Sequence, residues 1–335
     1  MPKRRGGCGR FLGSLILAIV VAGGITWFQL RPTPVGQNQF IRFDVSTKLD
    51  KALDVLQSKG IIRSARFSGY YAAVVRKGGA VARGTYQVAP GMSTGELLDK
   101  LQKPVRRMVR IPEGWWIARV AKRLEEEGVC PASEYVEWAG KPAAFKDDVA
   151  FPLPLSGSLE GYLYPDTYDL PPLITAKEVV RLQLKTFERK VPKEIQTQNL
   201  RRTLTVASLV QAETARDSER PQVAGVIENR LKKGMKLEID ATVLYGTQNW
   251  RVLKPGEVRN LPSDSNTYLH KGLPPGPICS PELKSILAAA APAHHSYLFY
   301  VALPDKSQLF ASTYEQHLAN IKKRIAAIQA AEKSR

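Results

Sequence analysis

A glutamate, Glu213, stands in TVASLVQAETARDSERPQVAGVIENRL where the apolar stripe of a helix calls for another hydrophobe. Val206, Leu209, Val210 and Glu213 follow the i, i+3, i+4, i+7 spacing of one buried helix face. A carboxyl on such a face is desolvated, its pKa rises, and it holds a proton near neutrality, which is what a general acid needs. The alternative is a glutamate that ends the stripe by reaching solvent or by pairing with Arg216, three residues on. Gln211, the polar neighbour, lies two residues back, about 200° round the helix, and is expected on the opposite face.

The elements that must hold Glu213 read as a mixture of helices and strands. LDKALDVLQSKGII carries Leu49, Leu53 and Leu56 at helical spacing and ends at Gly60. RGTYQVAPGMSTGELLDKLQ reads as a strand, a Pro-Gly turn and a helix opened by a Ser93 and Glu96 capping box. VRRMVRIPEGWWIARVAKRLEEEGV predicts a strand, a turn and a helix bearing Ile117, Val120, Ala121 and Leu124, stopped by Gly128. A helix is predicted over about 176–190, with Val180, Leu184 and Phe187 on one side, and Pro221 opens another after that of Glu213. MKLEIDATVLYG alternates like a strand, SDSNTYLHKGLPPGPICSP is a proline-rich rigid loop, and YLFYVA at 297–302 reads as a buried strand. Thr313 and Gln316 cap a terminal helix carrying Leu318, Ile321, Ile325 and Ile328. Strands mixed with helices in no strict alternation predict an α+β fold.

The chain has 335 residues, 44% hydrophobic and 24% charged, which is globular composition. Its net charge of +18 implies anionic surroundings: lipid headgroups, a wall polymer or nucleic acid. The basic residues are spread along the chain without an aromatic-interleaved motif, so nucleic acid is not an expected partner. Cys8, Cys130 and Cys279 lack metal-ligand spacing and only four histidines exist, so neither a metal nor another cofactor is expected. Pairing of Cys130 with Cys279 stays open. Phe11 to Phe28 is an uncharged, largely apolar run behind Lys3, Arg4, Arg5 and Arg10. It predicts a single-pass transmembrane helix with the bulk of the chain outside; a cleaved signal peptide is the alternative. The expected order is a basic tail over 1–10, a transmembrane helix over 11–30, a linker over 31–42, a small domain over 43–105 and a larger mixed α+β domain over 106–335.

Four segments in order resemble the YceG-like, or MltG, family of endolytic murein transglycosylases. They are IPEGWW at 111–116, LEGYLYPDTY at 159–168, ASLVQAETARDSERPQVAGVIENRLKKGMKLEIDATVLYG at 207–246 and SNTYLHKGLPPGPICSP at 265–281. With the N-terminal run and GTYQVAPGMSTGELL, the resemblance covers nearly the whole chain. It implies a protein of the bacterial cytoplasmic (inner) membrane with a LysM-like domain and then a catalytic domain outside. It implies cleavage of MurNAc–GlcNAc β-1,4 bonds within nascent peptidoglycan glycan strands, without water, leaving 1,6-anhydro-MurNAc ends and terminating elongation. The polymerases of the elongation machinery are the implied partners. The family's catalytic glutamate precedes a threonine, a place held here by Glu213 ahead of Thr214. Gln211 replaces a glutamate of that motif, Ala241 replaces a proline, and Gln308 stands where the family often has histidine.

Around that acid the candidate substrate-binding residues are Glu160, Tyr162, Asp166 and Tyr168 of the first tyrosine-rich segment, with Tyr164 beside them. Asn229, Arg230, Asp240 and Thr242 follow Glu213, and Asn266, Thr267 and Tyr268 open the proline-rich loop. Tyrosine rings suit sugar faces, though aromatics in a mixed domain more often form core. Asp240 and Glu160 are the carboxylates to examine as partners of Glu213, each with a structural alternative: a turn cap for Asp240, a backbone or arginine partner for Glu160. Arg230 either binds substrate or pairs with Glu213 or Asp240. A glycan-binding or scaffold protein without catalysis is the rival from another class, and a polyanion binder resting on charge alone is a second.

Overall fold

The computed structural model describes residues 7–31, 35–75, 77–197, 199–248, 253–254 and 256–333. Residues 1–6 of the expected basic tail and 32–34 of the linker lie outside the described residues. The chain divides into two compact units, Met1–Arg107 with Asp169–Leu173, and Met108–Tyr168 with Ile174–Arg335.

In the first unit α1 (Gly7–Leu30) is followed by β1 (Gln39–Phe43), β2 (Thr47–Lys48), α2 (Leu49–Ser58), α3 (Ala65–Val74), β3 (Ala80–Val81), β4 (Gly84–Val88) and α4 (Thr94–Lys100). Leu53 and Leu56 of α2 pack with Ile41, Tyr86, Leu98 and Leu101 into one apolar core. The capping box forms as expected: Glu96 N donates to Ser93 Oγ at 3.3 Å and Ser93 N donates to Glu96 Oε2 at 2.8 Å. The expectation of a LysM-like domain finds no support; in this unit β1 pairs with β4 and β2 with β3, each in an antiparallel ladder.

The single-pass anchor expected over 11–30 is overturned. A helix forms there, but among the described residues no helix is long and apolar enough to cross a membrane. The cytoplasmic-membrane location, the outward topology and the membrane as a partner all rested on that helix and go with it.

The second unit contains β5 (Met108–Arg110), α5 (Ile117–Glu126), α6 (Ala132–Ala139), β6 (Thr167–Asp169), α7 (Ala176–Lys190), α8 (Lys193–Thr197), α9 (Leu200–Glu213), α10 (Arg220–Lys232), α11 (Asp240–Thr247), α12 (Leu283–Ala290), β7 (Phe299–Ala302), β8 (Gln308–Ala311) and α13 (Tyr314–Lys333). It mixes helices with short antiparallel strands, which is the α+β composition expected. α9 is its axis: every residue from Leu204 to Val210 is buried, beneath α10, α11 and α12. The polar members of that run are satisfied internally, Thr205 Oγ1 donating to Arg201 O at 2.8 Å and Ser208 Oγ to Thr205 O at 2.8 Å.

One segment departs from its pattern. The strand expected in MKLEIDATVLYG is a loop to Ile239 and then α11, because a short alternating apolar run does not discriminate between periods. Tertiary contacts decide it: Thr242 Oγ1 donates to Ile239 O at 2.6 Å, and Thr267 N donates to Thr242 Oγ1 at 3.2 Å. The 297–302 strand forms over Phe299–Ala302 but is only half-buried. Cys130 and Cys279 form no disulfide with each other, Cys279 being buried against Ser208 O of α9.

The proline-rich loop is tied directly onto the helical frame. Ile278 N donates to Ser208 Oγ at 3.0 Å, Gly114 N to Ser280 O at 2.8 Å and Ser280 N to Trp115 O at 2.9 Å. Gly161 meets this loop with a φ of +83°, and a Cβ there would run into the ring of Pro277. Gly161→Ala should therefore destabilise the fold by more than the roughly 1 kcal/mol of an ordinary exposed glycine exchange, read as a lowered urea midpoint.

Candidate active site

Glu213 is the last residue of α9, with Thr214 leaving the helix in an extended conformation. The residue keeps partial exposure, yet its carboxyl sits deep enough that burial raises its pKa to about 7. Tyr300 of β7 opposes that rise by donating its hydroxyl to Glu213 Oε2 at 2.9 Å, Asp240 adds to it by charge, and Arg230 works against it. The carbonyl ends of α9 point the same way as Glu213, a field that further disfavours a carboxylate.

Neither nearby arginine pairs with the glutamate. Arg216 turns to Asp305, with Nη2 3.0 Å from Oδ2. Arg230 donates to Leu298 O at 2.6 Å and Leu237 O at 2.7 Å, and its nearest carboxylate is Glu238 at 3.7 Å. It thus fastens α10 to the segment before β7 and to the loop before α11, and contributes charge to the site only from a distance.

Glu213 borders two openings. One, about 550 Å³, is lined by Glu213, Arg230, Asp240, Tyr268, Tyr300 and His317 among others. The other, about 640 Å³, is lined by Glu213 with Glu113, Gln211, Arg220, Lys284 and Lys306. Gln211 does point elsewhere, accepting from Ser285 Oγ at 2.8 Å and Glu282 N at 3.1 Å, but it shares this second opening with Glu213.

Of the sequence candidates, Arg230, Asp240 and Tyr268 come to the Glu213 cleft. Tyr268 Oη donates to Asp240 Oδ1 at 2.7 Å, holding an exposed carboxylate at the first turn of α11. The others make their contacts elsewhere. Tyr162 clusters with Phe151 and Phe187 at 2% exposure, and Tyr168 donates to Tyr164 O at 2.6 Å in the core. Asp166 pairs with Lys190 at 2.7 Å, and Asn229 Nδ2 donates to His295 O at 2.8 Å beside a separate cavity of about 300 Å³. Thr242 and Thr267 bond to each other at 2.9 Å, while Asn266 donates to Val258 O and Leu261 O.

Sequence reasoning missed Tyr300 and His317 and left Gln308 without a role. Gln308 Nε2 donates to the carbonyl of Glu213 at 3.0 Å. His317 stacks on Phe299 at 5.0 Å, and burial with Arg230 nearby lowers its pKa. The alternation of β7 was the available signal for Tyr300, since a polar-tipped ring in a short apolar strand needs a hydrogen-bond partner.

The second unit is thus a mixed unit built round a buried helix that ends in a glutamate of raised pKa. The chain belongs to the YceG-like family, whose model matches residues 43–323. It is similar to proteins named endolytic murein transglycosylase from Streptococcus pneumoniae strain D39, at 26% identity over 349 residues, and Bacillus subtilis strain 168, at 28% over 289 residues. The first match covers 92% of this chain and 63% of the pneumococcal protein, and the second covers 78% of each. The chain thus spans less than two thirds of the length of the pneumococcal relative. The crystal structure of a yceG-like protein from Listeria monocytogenes superimposes with a TM-score of 0.57 at 25% identity, over 84% of this chain and 99% of that one.

Glu160 lies at 5% exposure, and its Oε2 accepts from Ile117 N at 3.0 Å, capping the start of α5. Burial raises its pKa from 4.5 to about 8 against the bonds from Ile117, Gly161 and Tyr245. The unfolded chain ionises this group first, so its contribution to stability is complete below pH 4.5 and is lost as pH rises through about 8. That gap is worth roughly 5 kcal/mol. Glu160→Gln should flatten the fall of stability between those limits, measured by urea denaturation at a series of pH values.

Proposed function

We propose that residues 106–335 form a lytic murein transglycosylase that cleaves the β-1,4 bond between MurNAc and GlcNAc inside glycan strands, leaves a 1,6-anhydro-MurNAc end and so stops strand growth. The observation that carries this reading is Glu213, a carboxyl with its pKa raised to about 7 that borders two openings. The names of the pneumococcal and Bacillus relatives supply the substrate class.

Protonated Glu213 gives its proton to the glycosidic oxygen as the C1–O bond breaks and C1 takes on oxocarbenium character. The sugar's own C6 hydroxyl oxygen then bonds to C1, and its proton passes to the Glu213 carboxylate. The enzyme returns to its starting state and no water is consumed. Asp240, on the same cleft, supplies negative charge near the cation as it develops. A second opening beyond Glu213 gives the strand somewhere to continue past the scissile bond, as internal cleavage requires.

The test is to incubate the protein with uncrosslinked glycan strands and analyse the new ends by mass spectrometry. Anhydro ends without heavy oxygen from labelled water are expected; reducing ends would sink the lytic route, and binding without cleavage would favour a glycan-binding protein. Glu213→Gln should lower turnover by about a thousandfold or more while leaving the melting temperature unchanged or raised. Because the acid must be protonated, activity should fall as pH rises through about 7.

A further inference from the structure

We infer that the β7–β8 hairpin is a two-point clamp on Glu213, with Tyr300 as the positioning residue that decides which carboxyl oxygen carries the transferable proton. The inference rests on the lytic reading above. Alternate residues of a strand share a face. The antiparallel register sets Tyr300 opposite Phe310 and Ala302 opposite Gln308, so Tyr300 and Gln308 belong to one face of the hairpin. From that face Tyr300 Oη donates to Glu213 Oε2 at 2.9 Å and Gln308 Nε2 donates to Glu213 O at 3.0 Å. One bond holds the side chain, and the other holds the main chain that carries it.

The hairpin is also fastened to the segment that follows Glu213. Gln308 N donates to Glu219 Oε1 at 3.0 Å, and Thr214 Oγ1 donates to Glu219 Oε2 at 3.3 Å. At the hairpin turn, Arg216 Nη2 donates to Asp305 O at 2.9 Å and to Asp305 Oδ2 at 3.0 Å. Residues 213–219 and 305–308 therefore move as one piece, and a displacement of the hairpin carries the carboxyl with it.

With a phenol O–H donating to it, Oε2 is the acceptor oxygen and the proton of the neutral acid belongs on Oε1. Oε1 delivers that proton to the glycosidic oxygen and later receives the one from the C6 hydroxyl. Tyr300 keeps its own proton in both steps, consistent with burial and the adjacent Glu213 raising its pKa well above the usual phenol range. The other charged or titratable groups on this cleft are Asp240 of α11, Glu238 before it, Tyr268 of the proline-rich loop, Arg230 of α10, and His317 and Arg324 of α13. None of these makes a direct hydrogen bond to the Glu213 carboxyl among the described residues, whereas Tyr300 does.

The experiment compares wild type, Tyr300→Phe and Gln308→Leu on uncrosslinked glycan strands, with kcat and KM measured across neutral pH. Phenylalanine keeps the ring that packs 6.4 Å from Phe310, so Tyr300→Phe should fold, as its melting temperature will verify. Expected for Tyr300→Phe is a kcat about 10- to 100-fold lower, KM within about twofold, and an alkaline limb moved to higher pH. The limb moves upward because the lost bond favoured the ionised carboxylate. Gln308→Leu should lower kcat with KM kept, because it frees the main chain of Glu213. A Tyr300→Phe enzyme with unreduced kcat, or with an unmoved alkaline limb, overturns the clamp. A folded wild type that leaves strands uncut takes down the lytic reading, and the clamp with it, and is distinguishable from the previous result because no variant then matters.

Discussion

A carboxyl without a counter-ion among the described residues, at the carbonyl end of a buried helix, is the constraint on which the rest of the second unit depends. Two arginines lie close enough in sequence or space to neutralise Glu213, and the fold turns both away, Arg216 to Asp305 and Arg230 to backbone carbonyls. A direct ion pair with either would lower a carboxyl pKa by about one to three units and leave no proton to give at neutrality. A neutral phenol is what touches the carboxyl instead, and it restrains position without supplying compensating charge. The acid is thus made by what the structure keeps off it as much as by what it brings near.

Holding such a group requires a frame that pays for its desolvation elsewhere. α9 is sheathed by α10, α11 and α12, and its polar residues are satisfied within the helix or by the proline-rich loop. The tyrosine-rich segment serves this frame rather than the cleft: Tyr162 clusters with Phe151 and Phe187, and Glu160 caps α5 from within the core. Two carboxyls of raised pKa therefore do different work. Glu160 is enclosed at a helix start, while Glu213 borders open volume where a substrate can reach it.

Legibility varied with the range of the interaction that decides each feature. The stripe of Val206, Leu209 and Val210, the Ser93 and Glu96 box and the helix over Ala176–Lys190 were readable because each depends on residues within one or two turns. The α11 segment misled because eight residues of mixed apolar and polar type suit either period, and contacts from Thr267 settle it. The apolar run at the N-terminus misled differently: it forms a helix, but among the described residues no helix is long and apolar enough to cross a membrane.

Spacing along one helix was enough to single out Glu213, because a helical face is a local property written at intervals of three and four residues. That Asp240 and Tyr268 join it was carried by motif resemblance and agrees with their place on its cleft. Tyr300 and Gln308 reach Glu213 from 87 and 95 residues away, through a hairpin whose register and docking no local pattern records. The choice of an acid residue is thus local chemistry, whereas its burial, its missing counter-ion and its orientation are products of long-range packing, which exists only once the chain has closed on itself.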